Sequence, residues 1–312
     1  MISTPWSIAN SIRNSAANGI SPWFLTGFSD GEANFTVSVS KSNTIKIGWS
    51  VQLCFQIGLH KKDKDVLEMI KSFLGVGNIY DKEESCNYMV QSLQELGVIV
   101  EHFNKFPLLT KKRVDFELFT QIFNLINQKE HLTLPGLVKI VSIKASINLC
   151  CLSELLKAAF PDVIPIKRPK VESVLINNPY WVAGFTAGDG CFSVAVRKSP
   201  TVKTGFQVQL RYSLTQHHDD KELMESLINF WGCGKVYKRP KEDKVDFQIT
   251  KFDDLTNKVI PLFKRISLPG VKSEDFSDFC KVADIMKVKG HLTQEGLDKI
   301  RAIKGGMNTG RK

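Results

Sequence analysis

From Asn34 to Ser40 apolar and polar positions alternate strictly, with Phe35, Val37 and Val39 on one side and Asn34, Thr36, Ser38 and Ser40 on the other. The next run sets Val51, Leu53, Phe55 and Ile57 against Ser50, Gln52, Cys54 and Gln56. Later, Phe206, Val208, Leu210, Tyr212 and Leu214 alternate with Gln207, Gln209, Arg211, Ser213 and Thr215. Period-two patterning predicts antiparallel strands with one face on a core and the other in water. Apolar segments over residues 63–73, 115–128 and 137–158, and over their later counterparts, predict helices that cover the apolar face. A short helix is predicted ahead of each first strand. Ser21 and Asn178 are good N-cap residues, and Pro22 and Pro179 stand at the first helical position, where a missing N–H costs nothing.

The patterns recur because the chain repeats itself. SPWFLTGFSDGEANFTVSV (21–39) returns as NPYWVAGFTAGDGCFSVAV (178–196), and VQLCFQIGLHKKDK (51–64) as VQLRYSLTQHHDDK (208–221). LGVGNIY (74–80) matches WGCGKVY (231–237), KKRVDFELF (111–119) matches VKSEDFSDF (271–279), and KEHLTLPGLVKI (129–140) matches KGHLTQEGLDKI (289–300). Matched blocks in one order mark a tandem duplication. The expected organisation is a leader over 1–20, a first repeat over 21–159, a linker over 160–177 and a second repeat over 178–312. The linker carries the basic, Pro-containing stretch FPDVIPIKRPKVESV. Each repeat reads α-β-β-α-β-β-α-α, which predicts an α+β fold.

A formal charge of +10 and a pI near 9.2 suit a polyanionic partner, since Lys and Arg on phosphates release condensed counterions. Charge alone leaves an ordinary basic protein equally open. The seven cysteines show no CxxC pair or zinc-type spacing and read as small apolar residues in a reducing compartment. No run is long enough for a signal peptide or a membrane span, so no membrane partner is expected.

The polar faces of the strands carry Asn, Ser, Gln and Arg where ordinary wet strands lean on Lys, Glu and Thr. Gln and Asn match adenine, Arg matches guanine and Ser matches either, and a two-stranded ribbon fits the major groove. The candidate readers in the first repeat are Asn34, Thr36, Ser38, Ser40, Ser50, Gln52, Cys54, Gln56, Asn87 and Gln91. In the second they are Ser193, Arg197, Gln207, Gln209, Arg211, Ser213, Thr215, Lys235, Lys244, Asp246 and Gln248. Gly27 and Gly31, like Gly184 and Gly188, fall on one face of each short helix and allow two backbones to approach closely. Each helix ends in a carboxylate, Glu32 or Asp189. A negative charge at a helix C-terminus is unfavourable, and two together repel, so a cation should compensate. Mg²⁺, which one or two carboxylates and phosphate oxygens typically hold, is the simplest choice. His131 and His291, also duplicated, read as structural residues at helix ends.

LTGFSDGEA (25–33) and VAGFTAGDG (182–190) resemble the two signature helices of the LAGLIDADG homing endonucleases, and the likeness runs through both repeats, about residues 21–310. It is nearest to the single-chain enzymes of fungal mitochondrial introns. The resemblance implies a monomer with internal pseudo-twofold symmetry. Its two αββαββα modules would form a saddle over duplex DNA, ~20 base pairs in length at one turn per module. It also implies Mg²⁺-dependent cleavage of both strands, with Mn²⁺ or Ca²⁺ able to substitute in binding, and a mitochondrial location. The family's metal-binding acids fall on Glu32 and Asp189, with the carbonyls of Gly31 and Gly188 as further ligands. Lys112 and Lys272 resemble its flanking basic residues, and Gln216 is a further catalytic candidate whose counterpart is Leu59. Asp189 departs from the Glu usual in single-chain relatives, and Ala33 from the usual Gly. The same resemblance leaves open a maturase acting on host intron RNA, and a DNA-binding protein without catalysis.

Overall fold

In the computed structural model, residues 20–148, 152–170 and 175–311 are described; the expected leader apart from Ile20, the cysteines at 150 and 151 and residues 171–174 of the expected linker lie outside them. The chain divides into two compact units. One holds the described residues of 20–22 and 32–170, and the other holds Trp23–Gly31 with 175–311. Both are α+β and repeat one plan.

Helix α1 (Pro22–Glu32), most of which belongs to the second unit, leads directly into β1 (Ala33–Lys41) of the first, which pairs with β2 (Trp49–His60). Then follow α2 (Lys64–Leu74), β3 (Asn78–Asp81), β4 (Ser85–Val90), α3 (Leu93–Lys105), α4 (Lys112–Asn127), α5 (Leu134–Lys144) and α6 (Glu154–Ala159). The sheet is four-stranded and antiparallel, in the order β1-β2-β4-β3. The second unit runs α7 (Pro179–Asp189), β5 (Gly190–Lys198), β6 (Phe206–His217), α8 (Lys221–Trp231), β7 (Lys235–Lys238) and β8 (Lys244–Ile249). After β8 come α9 (Phe252–Asp254), a π turn (Leu255–Val259), α10 (Ile260–Arg265), α11 (Val271–Lys287) and α12 (Gln294–Gly305), and the sheet order is β5-β6-β8-β7. No helix among the described residues is long and apolar enough to cross a membrane.

Each core forms around one phenylalanine from the first strand. Phe35 packs on Phe55, Phe103, Phe116 and Phe119 with ring centroids 5.3–5.7 Å apart. Phe192 packs on Tyr212, Phe263, Phe276 and Phe279 at 5.2–5.5 Å. Both are at most 1% exposed. Burying each ring contributes about 1.5–3 kcal/mol, and aromatic pairing adds about 0.5–1.5 kcal/mol.

Residues 137–158, expected as one helix, are interrupted. The helix α5 ends at Lys144, Asn148 turns into the left-handed region at φ 45°, and α6 starts afresh with Ser153 accepting from Leu156 N–H. Asn148 breaks the helix because its groups are committed elsewhere. Its side chain donates to Phe35 O of β1 at 3.2 Å, and its N–H donates to the Asp115 carboxylate at 2.9 Å. Asn308 does the same with Phe192 O (3.0 Å) and Asp275 (2.9 Å). Each aspartate also takes an arginine, Arg168 on Asp115 and Arg311 on Asp275. His131 and His291 sit in matched 3₁₀ turns after Lys129 and Lys289, whose φ values are 61° and 59°.

His102 on α3 is buried among Phe73, Phe103 and Phe106, and burial lowers its pKa to about 3. Because the folded pKa lies below the unfolded value, the unfolded chain takes up the proton first. Stability is therefore complete above about pH 6.5 and declines as the pH falls toward 3. At pH 5 the loss from this residue should be about 2 kcal/mol. The counterpart position holds Leu262. Urea unfolding at pH 7 and pH 5 should show a smaller drop for His102→Leu than for wild type, and an equal drop would contradict the assignment.

Candidate active site

Two helices, α1 and α7, cross within the second unit. Asn178 caps α7, accepting from the N–H groups of Tyr180 (2.9 Å) and Trp181 (3.3 Å). The crossing depends on missing side chains. A Cβ on Gly27 would collide with the Trp181 carbonyl, and one on Gly184 with the Phe24 carbonyl. Trp181, fully buried, donates through Nε1 to Asp30 Oδ2 at 2.8 Å, and Asp30 is itself 1% exposed. The sequence reading missed Asp30; its signal was a carboxylate on the otherwise apolar and small-residue face of a short helix.

Both helices run into a strand without a loop, α1 through Glu32 into β1 and α7 through Asp189 into β5. Each carboxylate is half-buried at such a junction. Asp189 Oδ2 accepts from Gln216 Nε2 at 3.1 Å, and Gln216 is fixed in turn by accepting from His217 N–H at 2.9 Å. Lys272, near the start of α11, donates to Gly190 O at 2.5 Å and so stands one residue from Asp189. Asp189 Oδ2 also lies 3.2 Å from the point where a Cβ on Gly31 would fall. Gly31, Gly188, Asp189, Gln216 and Lys272 thus come together. Lys112 takes the corresponding place at the start of α4, with its N–H donated to Thr110 Oγ1 at 3.3 Å, while the position of Gln216 is filled by Leu59.

The sheets place the remaining candidates in cross-strand rows. In the first, Asn34 faces Gln56, Thr36 faces Cys54, Ser38 faces Gln52 and Ser40 faces Ser50. Asn34, Ser38, Ser40, Gln52 and Gln91 are exposed, and Thr36, Ser50, Gln56 and Asn87 are half-buried. Cys54 was expected to face water but is 8% exposed. Its short side chain is hydrogen-bonded by Gln91, and burial pushes the thiol up to about 11. In the second sheet Ser193 faces Arg211, Ala195 faces Gln209, Arg197 faces Gln207 and Ser213 faces Gln248. Arg197, Gln207, Lys235 and Lys244 are exposed, and Ser193, Gln209, Arg211, Ser213, Thr215 and Gln248 are half-buried. Asp246, expected at the surface, is 8% exposed because Arg239 and Thr215 both bond to it. Arg239 itself, half-buried in the turn after β7, has no strand alternation to announce it.

The profile of the LAGLIDADG endonuclease family matches residues 25–123 and 182–283. The chain is 38% identical, over 92% of its length, to a probable intron-encoded endonuclease 3 of Neurospora crassa. It is 35% identical, over 93%, to a probable intron-encoded endonuclease 2 of the same fungus. It spans 54% and 65% of the lengths of these two relatives. The crystal structure of the LAGLIDADG homing endonuclease I-SmaMI bound to cleaved DNA is 44% identical, with a TM-score of 0.91 over 94% of this chain and 98% of that one. I-SmaMI is also known bound to an uncleaved DNA target in the presence of calcium ions.

Proposed function

The chain belongs to the LAGLIDADG endonuclease family, and from that premise we propose that it is a site-specific homing endonuclease that cuts both strands of a duplex target of ~20 base pairs. The observation that carries this reading is the setting of Asp189. A carboxylate closes a helix, an amide holds it, and a glycine leaves space in front of it.

The donors present suit Mg²⁺. Glu32, Asp189 and the carbonyls of Gly31 and Gly188 offer hard oxygens, and the space a Cβ on Gly31 would fill adjoins Asp189 Oδ2. No group of three or more His, Cys, Asp or Glu side chains among the described residues is placed to hold an ion, so water and DNA phosphate would supply the remaining ligands. Bound there, Mg²⁺ would supply Lewis-acid polarisation of a phosphoryl oxygen and a lowered pKa for attacking water. The structure of I-SmaMI on an uncleaved target with calcium ions supports a divalent ion at such a site. The chain's own groups do the rest. Gln216 holds the Asp189 carboxylate at a fixed angle beside the space that Gly31 leaves. Lys272, anchored on Gly190 O, brings a cation next to the reacting phosphate, and Lys112 serves the Glu32 side. The exposed Asn, Ser, Gln and Arg rows read base edges. The intron-encoded relatives support a mitochondrial intron as the source of the chain.

Cleavage selection tests the reading. Purified protein with Mg²⁺ should recover one long family of cut sequences from a randomised duplex library, and chelation should stop the cutting. A duplex bound but never cut would instead favour a silent binder or a splicing cofactor.

A further inference from the structure

Among the differences between the outward faces of the two sheets, one row carries a bonded trio. In the second unit the register aligns Thr215 on β6, Asp246 on β8 and Tyr237 on β7. The matching row of the first unit is Gly58, Asn87 and Tyr80. Arg239 follows β7, and its N–H closes the hairpin onto Lys244 O at 3.0 Å; Lys82 follows β3 and closes its hairpin onto Ser85 O at 2.8 Å. Arg239 and Lys82 are therefore counterparts.

Only the second unit ties this residue to its row. Arg239 Nε donates to Asp246 Oδ2 at 2.8 Å, and Nη2 donates to Thr215 Oγ1 at 3.1 Å. Thr215 Oγ1 donates to Asp246 Oδ1 at 2.7 Å, which closes the ring of bonds. Burial alone would raise the Asp246 pKa, but the bonds from Arg239 and Thr215 and the nearby guanidinium charges outweigh it, and the carboxyl stays below its ordinary value. Fold stability does not call for the trio. Burying an ion pair carries a desolvation cost that often cancels its attraction, and the first unit builds the same strands with Gly58, Asn87 and Lys82. What the trio does fix is the direction of one guanidinium. The Nη edge beyond these bonds meets only Glu242 in the turn, at 3.4 Å from Nη1. Two N–H groups on such an edge match O6 and N7 of guanine, a fork that lysine lacks.

We propose that Arg239, oriented by Asp246 and Thr215, reads one guanine in the major groove of the DNA held by the second unit. The proposal rests on the DNA-cleaving reading above. Asp246 and Thr215 then act as positioning residues and not as base contacts, and Arg239 sets specificity at one base pair that its counterpart Lys82 does not read in the same way.

The test uses the full-length chain and duplexes carrying every single base-pair change of the selected target, with binding measured in Ca²⁺. Wild type should disfavour substitutions at one G·C pair by about 10- to 100-fold. Arg239→Lys should reduce that preference below about threefold and leave the other positions alone. Asp246→Asn and Thr215→Val should flatten the same position and no other, a pattern that general loosening of the sheet would not produce. Arg239 is partly exposed, so Arg239→Lys keeps the test valid if Asp246→Asn fails to fold. Uniform weakening on all sequences, with the salt slope lowered by about one, would overturn the proposal in favour of a phosphate contact. An unchanged profile would overturn it as well. Failure of wild type to bind any duplex would defeat the DNA-cleaving reading along with it, whereas a selective wild type with an indifferent Arg239 would defeat this proposal alone.

Discussion

Glu32→Gln and Asp189→Asn should each leave duplex affinity within about threefold of wild type and lower double-strand cleavage by ~10³-fold or more, the scale of losing several kcal/mol of transition-state stabilisation. The substitutions preserve shape. Each removes one negative charge from a helix C-terminus, where that charge is unfavourable unless a cation answers it. At Asp189 the amide oxygen can still accept from Gln216 Nε2, so the local hydrogen bonding survives. In the proposed reading, binding draws on the exposed rows of the sheets and on the basic charge of +10, which these changes only increase. Filter binding in Ca²⁺ beside cleavage in Mg²⁺ separates the two effects. Equal loss of binding and cutting in both variants would make the carboxylates structural.

Gly184→Ala should cost on the order of 3 kcal/mol or more, among the largest stability effects of any single methyl in this chain. Its Cβ would run into the Phe24 carbonyl and come within 2.8 Å of Phe28 N. Those are backbone atoms of α1 and cannot swing aside as a side chain would. Relief requires the helices to part, which would pull Trp181 from Asp30 and disturb the spacing of Gly31 from Asp189. Gly305→Ala is the control. It ends α12 with nothing within 4 Å of the added carbon, so it should be neutral or stabilising by up to ~1 kcal/mol. Urea unfolding of the two variants beside wild type measures the contrast, and similar stabilities would show that the crossing is looser than described.

The strands were legible because one apolar face alternates with one polar face, and the duplication gave a second copy of the same pattern. Glu32 and Asp189 stood out as candidates from their repeated signature positions and Gln216 only through the family resemblance, since Leu59 fills its matching place; the bond between Gln216 and Asp189 follows from where β6 passes α7. Helix α3 was not legible, because Gly97 and the run Val98, Ile99 and Val100 favour strand locally, and only packing of Leu96, Ile99, Val100 and Phe103 makes the segment helical. The break after Lys144 was hidden for a similar reason. Asn148 answers to Phe35 and Asp115, which are far away in sequence. Alternation also set Cys54 facing water, and Asp246, expected at the surface, is buried as well. The pattern gives the side of the sheet correctly but is blind to neighbours, such as Gln91 and Arg239, that cover a short side chain from above.

In the function proposed here, this chain breaks both strands of DNA through Glu32 and Asp189. Strand-resolved cleavage of one selected duplex, labelled on both strands, decides the matter. Wild type in Mg²⁺ should cut each strand once, and the double variant Glu32→Gln, Asp189→Asn should cut neither while still retarding the duplex. Continued cutting by the double variant, or a wild type that binds the duplex and leaves both strands whole, would contradict the account.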